Sequence, residues 1–206
     1  FSLTVVAFAD TGAFIESPSK KRAPTLVSFK IGTAGCKGQI VITGYADRAS
    51  LSADARTAIE AAYATIKGTK DVTTLSTALA SLVSSKGIKA SSLAVSELFD
   101  VALVGCTEHT SPAGVEIVIS PESLVGFVGL IHFENNAWTL VTSATVDGEN
   151  LKFTVDTLSP FAIVVNTEEL EKPNETGDAI TYVLISLAVL SAAGLAAVAV
   201  SKKQRA

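Results

Sequence analysis

The chain has no methionine, one tryptophan, two histidines and two cysteines among its 206 residues. Without an initiator residue, Phe1 is expected to follow a missing or removed leader. Two cysteines and two histidines leave little from which to build metal chemistry. Charge is scarce as well: 17% of residues are Asp, Glu, Lys or Arg, against about 25% in an average soluble domain. The net charge of −4 excludes the basic footprint of a nucleic-acid binder and a disordered acidic tail protein. There is no Gly-x-Ser-x-Gly elbow and no phosphate-cradling Gly loop. Hydrolase and nucleotide-binding readings therefore lack their usual starting points.

The hydrophobic content of 48% is concentrated at one place. Residues 179–200 carry no charge over about 22 positions, long enough to span a bilayer. A helix buried in a protein core is the alternative, but few small domains bury one of that length all round. Glu168, Glu169, Glu171, Glu175 and Asp178 precede the run, and Lys202, Lys203 and Arg205 follow it. By the positive-inside rule those three basic residues are the stop-transfer signal and stay in the cytoplasm, so the bulk of the chain is outside. At the other end, residues 1–9 read as the remnant of a signal peptide, closing on the small-x-small pattern Ala7-Phe8-Ala9. A buried first strand is the competing reading, since Leu3, Val5 and Ala7 alternate.

Pro173-Asn174-Glu175-Thr176-Gly177-Asp178, the apolar run and Lys202-Lys203-Gln204-Arg205 together resemble the C-terminal sorting signal of sortase-anchored Gram-positive surface proteins. The resemblance implies cleavage between Thr176 and Gly177, with transfer of the Thr176 carbonyl to peptidoglycan. Sortase and the cell wall would then be partners. The pentapeptide departs from Leu-Pro-x-Thr-Gly: Pro173 stands one residue early and Asn174 where the proline belongs. A plain single-pass anchor remains the other reading. The span 115–166, with His132-Phe133, Trp138 and Leu158-Ser159-Pro160-Phe161-Ala162, also resembles the β-rich membrane-proximal modules of such proteins.

Between the ends the chain divides by composition. Residues 10–24, with Pro18, Pro24 and Lys20-Lys21-Arg22, read as a mobile leader arm. Residues 25–166 read as a β-rich ectodomain. Within it, runs at 25–31 and 38–43 suggest an early hairpin. A helical hairpin is expected at about 51–87: Ser50 or Ser52 caps a helix facing inward through Ala55, Ile59, Ala62, Tyr63 and Ile66. Asp71 caps a second, with Leu75, Leu79, Leu82 and Val83 inward. Period-two runs return at 93–95, 98–103 and 115–119 and continue to 165, with Asn135-Asn136 and Asp147-Gly148 as turns. Residues 167–178 form an acidic stalk that like charges extend, 179–200 the transmembrane helix and 201–206 a basic cytoplasmic tail.

Few residues invite chemistry. An even cysteine count in an exported chain favours a Cys36–Cys106 disulfide. Closing a loop of about 70 residues stabilises by some 3 to 5 kcal/mol in the chain-entropy model; two free buried thiols are the alternative. Cys36, Cys106, His109 and His132 are poorly spaced for zinc, and no metal or cofactor is assigned. His132 reads as a strand residue with a satisfied ring. Ser17-Pro18-Ser19-Lys20 matches an isolated Ser-x-x-Lys without its partner motifs. Asp47, Asp54 and Glu60 lack an opposed carboxylate. Lys20-Lys21-Arg22 can attract anionic polymers or headgroups, and Trp138 or Tyr45 can stack on a ligand, though a lone Trp in a sandwich usually belongs to the core.

The sequence thus predicts an α+β protein: an antiparallel β-sandwich-like ectodomain with an inserted two-helix hairpin and one C-terminal transmembrane helix. The expected role is that of an adhesin-like structural or interaction module at the cell surface, membrane-anchored or wall-linked, with an unnamed ligand and no catalysis. A small secreted hydrolase with an unrecognised site is the alternative.

Overall fold

The computed structural model describes residues 12–32, 37–106 and 114–170, all within the compact unit Phe1–Glu171. The second unit, Lys172–Ala206, lies outside the described residues. The strands are β1 (Thr25–Lys30), β2 (Gln39–Gly44), β3 (Leu93–Val104), β4 (Val115–Ser120), β5 (Phe127–Glu134), β6 (Ala137–Leu140), β7 (Thr145–Asp147), β8 (Asn150–Val155) and β9 (Pro160–Asn166). The helices are α1 (Ala53–Gly68), α2 (Thr77–Ser85) and a single turn, α3 (Thr167–Leu170). All the strand pairings are antiparallel, in a four-stranded sheet of order β1-β4-β8-β7 and a five-stranded sheet of order β2-β3-β9-β5-β6.

The two sheets face each other and α1 and α2 cover the far side of the five-stranded one, so the unit has three layers. Alternation in the sequence builds both interfaces. In β4 every second residue is buried, so Val115, Ile117 and Ile119 join Leu151 and Phe153 of β8 between the sheets. Strand β9 has no exposed residue: Phe161, Ile163 and Val165 point toward the other sheet, while Ala162 and Val164 point toward the helices. A strand covered on both faces reads as an unbroken apolar run.

The helical layer follows from capping and period. Ser52 Oγ accepts the Ala55 N–H at 3.3 Å and starts α1, whose Ile59, Ala62 and Ile66 are buried over β3 and β9. Asp71 caps a short 3-10 turn (Val72–Leu75), not α2 as the sequence suggests; Ser76 caps α2 by accepting from Leu79 N–H. Leu79 and Val83 are then buried over β5 and β6. The helices are thus a layer laid across the sheet, each with its own strands beneath.

Two expectations are corrected. The early hairpin does not form: β1 pairs with β4 and β2 with β3, in different sheets. Partly buried Leu26 and buried Ile40 both reach the core between the sheets, and facing sheets lie about 10 Å apart, a gap the connection between the strands has to cross. The described part of the leader, residues 12–24, is docked. Phe14 is 4% exposed in the helix-side core and forms a parallel bridge to Val95, with Ile15 N–H bonded to the Val95 carbonyl at 3.1 Å and Val95 N–H to that of Ala13 at 2.8 Å. The Asn135-Asn136 turn is as read, both residues having positive φ, 51° and 60°, as the primed hairpin turn between β5 and β6 requires. No helix among the described residues is long and apolar enough to cross a membrane; residues 179–200 lie outside them.

Phe153 is fully buried with its ring centroid 5.4 Å from that of Phe161. Phe153→Ala is expected to lower the free energy of unfolding by about 3–5 kcal/mol in urea titrations. Lys152→Ala, on the solvent face of the same strand, should cost less than about 1 kcal/mol.

Candidate functional site

Of the residues singled out for function, Cys36, Thr176, Gly177, Lys202, Lys203 and Arg205 lie outside the described residues. Cys106, just past β3, is disulfide-bonded. Its thiolate is therefore not available to a metal, which removes the Cys106-centred zinc set together with the reading of two free thiols. The chain passes close by at Gly38, where an added Cβ would lie 2.8 Å from the Val104 carbonyl oxygen and 3.0 Å from the Cys106 Cβ. Trp138 is buried in the helix-side core and donates from Nε1 to Thr65 Oγ1 at 2.8 Å. Tyr45 is buried too, its ring 4.4 Å from that of Tyr63 and 4.2 Å from the Arg48 guanidinium carbon. Neither aromatic offers a face to a ligand. Asp47 and Asp54 are exposed, and exposed Glu60 meets Arg48 at 3.6 Å.

Among the described residues, the Asp, Glu and His side chains that the fold encloses are Glu97, Asp100 and His132. Glu97 follows an irregularity in β3, where the pairing with β9 slips between Val95 and Glu97. The slip turns Glu97 toward the inter-sheet core, opposite Ile163, leaving it 2% exposed. Its Oε1 accepts the Glu122 N–H at 2.9 Å, while Oε2 has no hydrogen-bond partner. Burial pushes its pKa up to about 7; the Glu122 and Ser123 N–H groups and the Lys21 charge oppose that rise, and the Glu122 charge adds to it. Lys21 spans Glu16 and Glu122 at 2.7 Å each. Burial works against its charge, but its bonds to Glu122 and Glu16 prevail and hold its pKa above the ordinary lysine value. Glu97, Lys21, Glu16 and Glu122 therefore fasten the leader and the β4–β5 connection to β3. Of the basic triplet, Lys21 serves this internal junction.

His132 is 5% exposed with its ring 4.3 Å from that of Phe161. Its Nε2 lies 2.5 Å from Ser159 Oγ, which donates to the Phe133 carbonyl at 2.6 Å. A serine hydroxyl has one proton. With that proton on the Phe133 carbonyl, Ser159 accepts from His132 Nε2–H, the reverse of the transfer a serine nucleophile needs. Burial lowers the His132 pKa and keeps the ring neutral near pH 7. The pair pins the turn before β9 to β5, and the ring is satisfied as the sequence suggests. Asp100 sits between Thr43 of β2 and Pro160 of β9, where burial raises its pKa to about 6. Proline offers it no N–H.

Sequence reading missed Glu97 and Asp100 as buried polar positions and Ser159 as the partly buried partner of His132. The available signal was local: Ser96-Glu97 interrupts the apolar runs 93–95 and 98–103, as a bulge within one strand does. Instead the runs read as two strands.

A folded-state pKa above the ordinary carboxylate value means that the native state holds its proton more tightly than the unfolded chain. Glu97's contribution is full below about pH 4.5 and is lost as pH rises through about 7, a change of roughly 3 kcal/mol. Glu97→Gln should remove it, giving a variant that exceeds the wild type in urea midpoint at pH 8 and loses that advantage at pH 5. Parallel midpoints at both pH values would assign the pH dependence elsewhere.

Compared with known proteins, the chain matches no family model, no curated protein and no solved structure.

Proposed function

We propose that this chain is an exported surface module held at its C-terminus, with a structural or interaction role and no catalysis. The observation that carries the reading is the order of features after α3: acidic residues to Asp178, the uncharged run 179–200, then Lys202, Lys203 and Arg205. A run of that length inserts as a helix, and the basic residues beyond it orient the rest outward.

The disulfide at Cys106 supports an oxidising compartment; Cys36, the chain's other cysteine, is its partner in this reading. The buried and half-buried polar groups support a structural role, since Glu97, Lys21, His132 and Ser159 each join neighbouring segments. The acidic stalk begins as the single turn α3, where Lys89 meets Glu168 at 3.0 Å. Anchoring proceeds through the sorting signal: sortase cleaves Thr176-Gly177 and leaves Thr176 joined to peptidoglycan.

The test is expression behind a signal peptide in a Gram-positive host with active sortase. Protease added to intact cells should digest the ectodomain, and muramidase-released material should end at Thr176 by mass spectrometry. Protein that resists shaving until lysis would overturn the outward orientation. Material extracted wholly by detergent, still carrying Lys202, Lys203 and Arg205, would replace sorting by a single-pass anchor.

A further inference from the structure

The four-stranded sheet ends in β1 on one side and β7 on the other. Among the described residues no strand pairs with the outer edge of either, so each end strand presents a row of backbone N–H and C=O groups. Both edges also leave inward-facing apolar side chains partly uncovered. On β1, Phe29 pairs with inward Ile117 yet is 37% exposed, and Val27, at the irregularity in that strand, is 53% exposed. On β7, Val146 pairs with inward Leu151 yet is 44% exposed. The charges flanking the edges are opposite: Arg22 and Lys30 bracket β1, whereas Asp147 and Glu149 lie at the β7–β8 turn. All four are exposed, and among the described residues none has an ion-pair partner.

We propose that β7 of one molecule pairs with β1 of a second copy of this chain, extending the sheet head to tail. The direction is correct without rotation. Four strands, each antiparallel to the next, leave β1 and β7 running oppositely, so a translated copy brings them together as an antiparallel pair. The register follows from the rows across the sheet. Leu26, Ile119, Leu151 and Val146 share one row, and Ser28, Val118, Lys152 and Thr145 the next. Translation along these rows sets Val146 against Leu26 and Thr145 against Ser28 of the neighbour, continuing the inward apolar layer. It also carries Asp147 and Glu149 toward the end of β1 where Arg22 lies. Opposite charge in that position favours encounter and selects this pairing over β1–β1 or β7–β7 contacts.

The contact is heterologous and does not close by a two-fold axis, so it propagates. Strand β7 has only three residues, which makes a small interface and a weak, concentration-dependent one. Chains confined to a surface would meet at high effective concentration, but the association itself does not depend on how the C-terminus is held.

Full-length chain purified in detergent, carrying Ser28→Cys and Thr145→Cys together, tests the pairing with a short bismaleimide that links only free thiols. Both positions are exposed, and unchanged melting temperatures establish that the fold is kept. The double variant should give a ladder of dimers, trimers and longer products, an equimolar mixture of the two single variants a dimer only, and either single variant alone no product above wild type. High salt, or Asp147→Lys in the double variant, should reduce the ladder several-fold. Absence of a ladder at the highest attainable concentration would overturn the proposal, as would equal dimer yield from Thr145→Cys alone.

Discussion

Strand β9 is enclosed on both faces, by the second sheet through Phe161, Ile163 and Val165 and by the helices through Ala162 and Val164. It is also flanked on both edges, by β3 and β5. A strand so placed has little contact with water, and close packing constrains the shape of each of its neighbours. The small Ala162 lets α1 approach the sheet, while the rings of Phe99 and Phe153 both lie near that of Phe161. The layers meet on β9 and its neighbours together: α1 lies over β3 and β9 and α2 over β5 and β6, while Phe99, Val101 and Leu130 join Phe161 and Ile163 against the four-stranded sheet.

Enclosing β9 also places polar groups under the layers. Glu97 faces the core because β3 changes register beside β9, and His132 lies against Phe161. Burying such groups is costly unless they find partners. Most of these do so by reaching to another segment: Glu97 to the backbone of Glu122, and His132 through Ser159 to the Phe133 carbonyl. The interior thereby ties down the loops around it. The same logic docks the leader, where burial of Phe14 and the Lys21 bridge hold a segment whose composition alone reads as free.

The middle of the unit is closed and its sides are open. Burial supplies stability at β9 and leaves the end strands β1 and β7, each paired on one side only among the described residues, with half-covered side chains. The opposite charges of the proposed pairing lie at these edges, Arg22 and Lys30 beside β1 and Asp147 and Glu149 beside β7.

Much of the secondary structure was legible because its causes are local. Alternation in 115–119 and 151–155, the 3.6-residue period of 53–68 and the paired asparagines at 135–136 depend only on neighbouring residues. The helix caps were partly legible: Ser52 was one of two candidates with Ser50, and Asp71 caps the 3-10 turn Val72–Leu75 while Ser76 caps α2. The buried polar positions were mostly hidden, since a glutamate reads as solvent-facing until a slip in strand pairing turns it inward. Sequence by itself determined the apolar run, the charge flanking it and the strand and helix periods, because each is a property of a short stretch. Only tertiary structure decided that β1 and β2 part into different sheets, that the leader docks, and that Glu97 is enclosed. Those outcomes depend on which distant surfaces bury one another, and β4 is remote in sequence from β1, as Val95 is from Phe14.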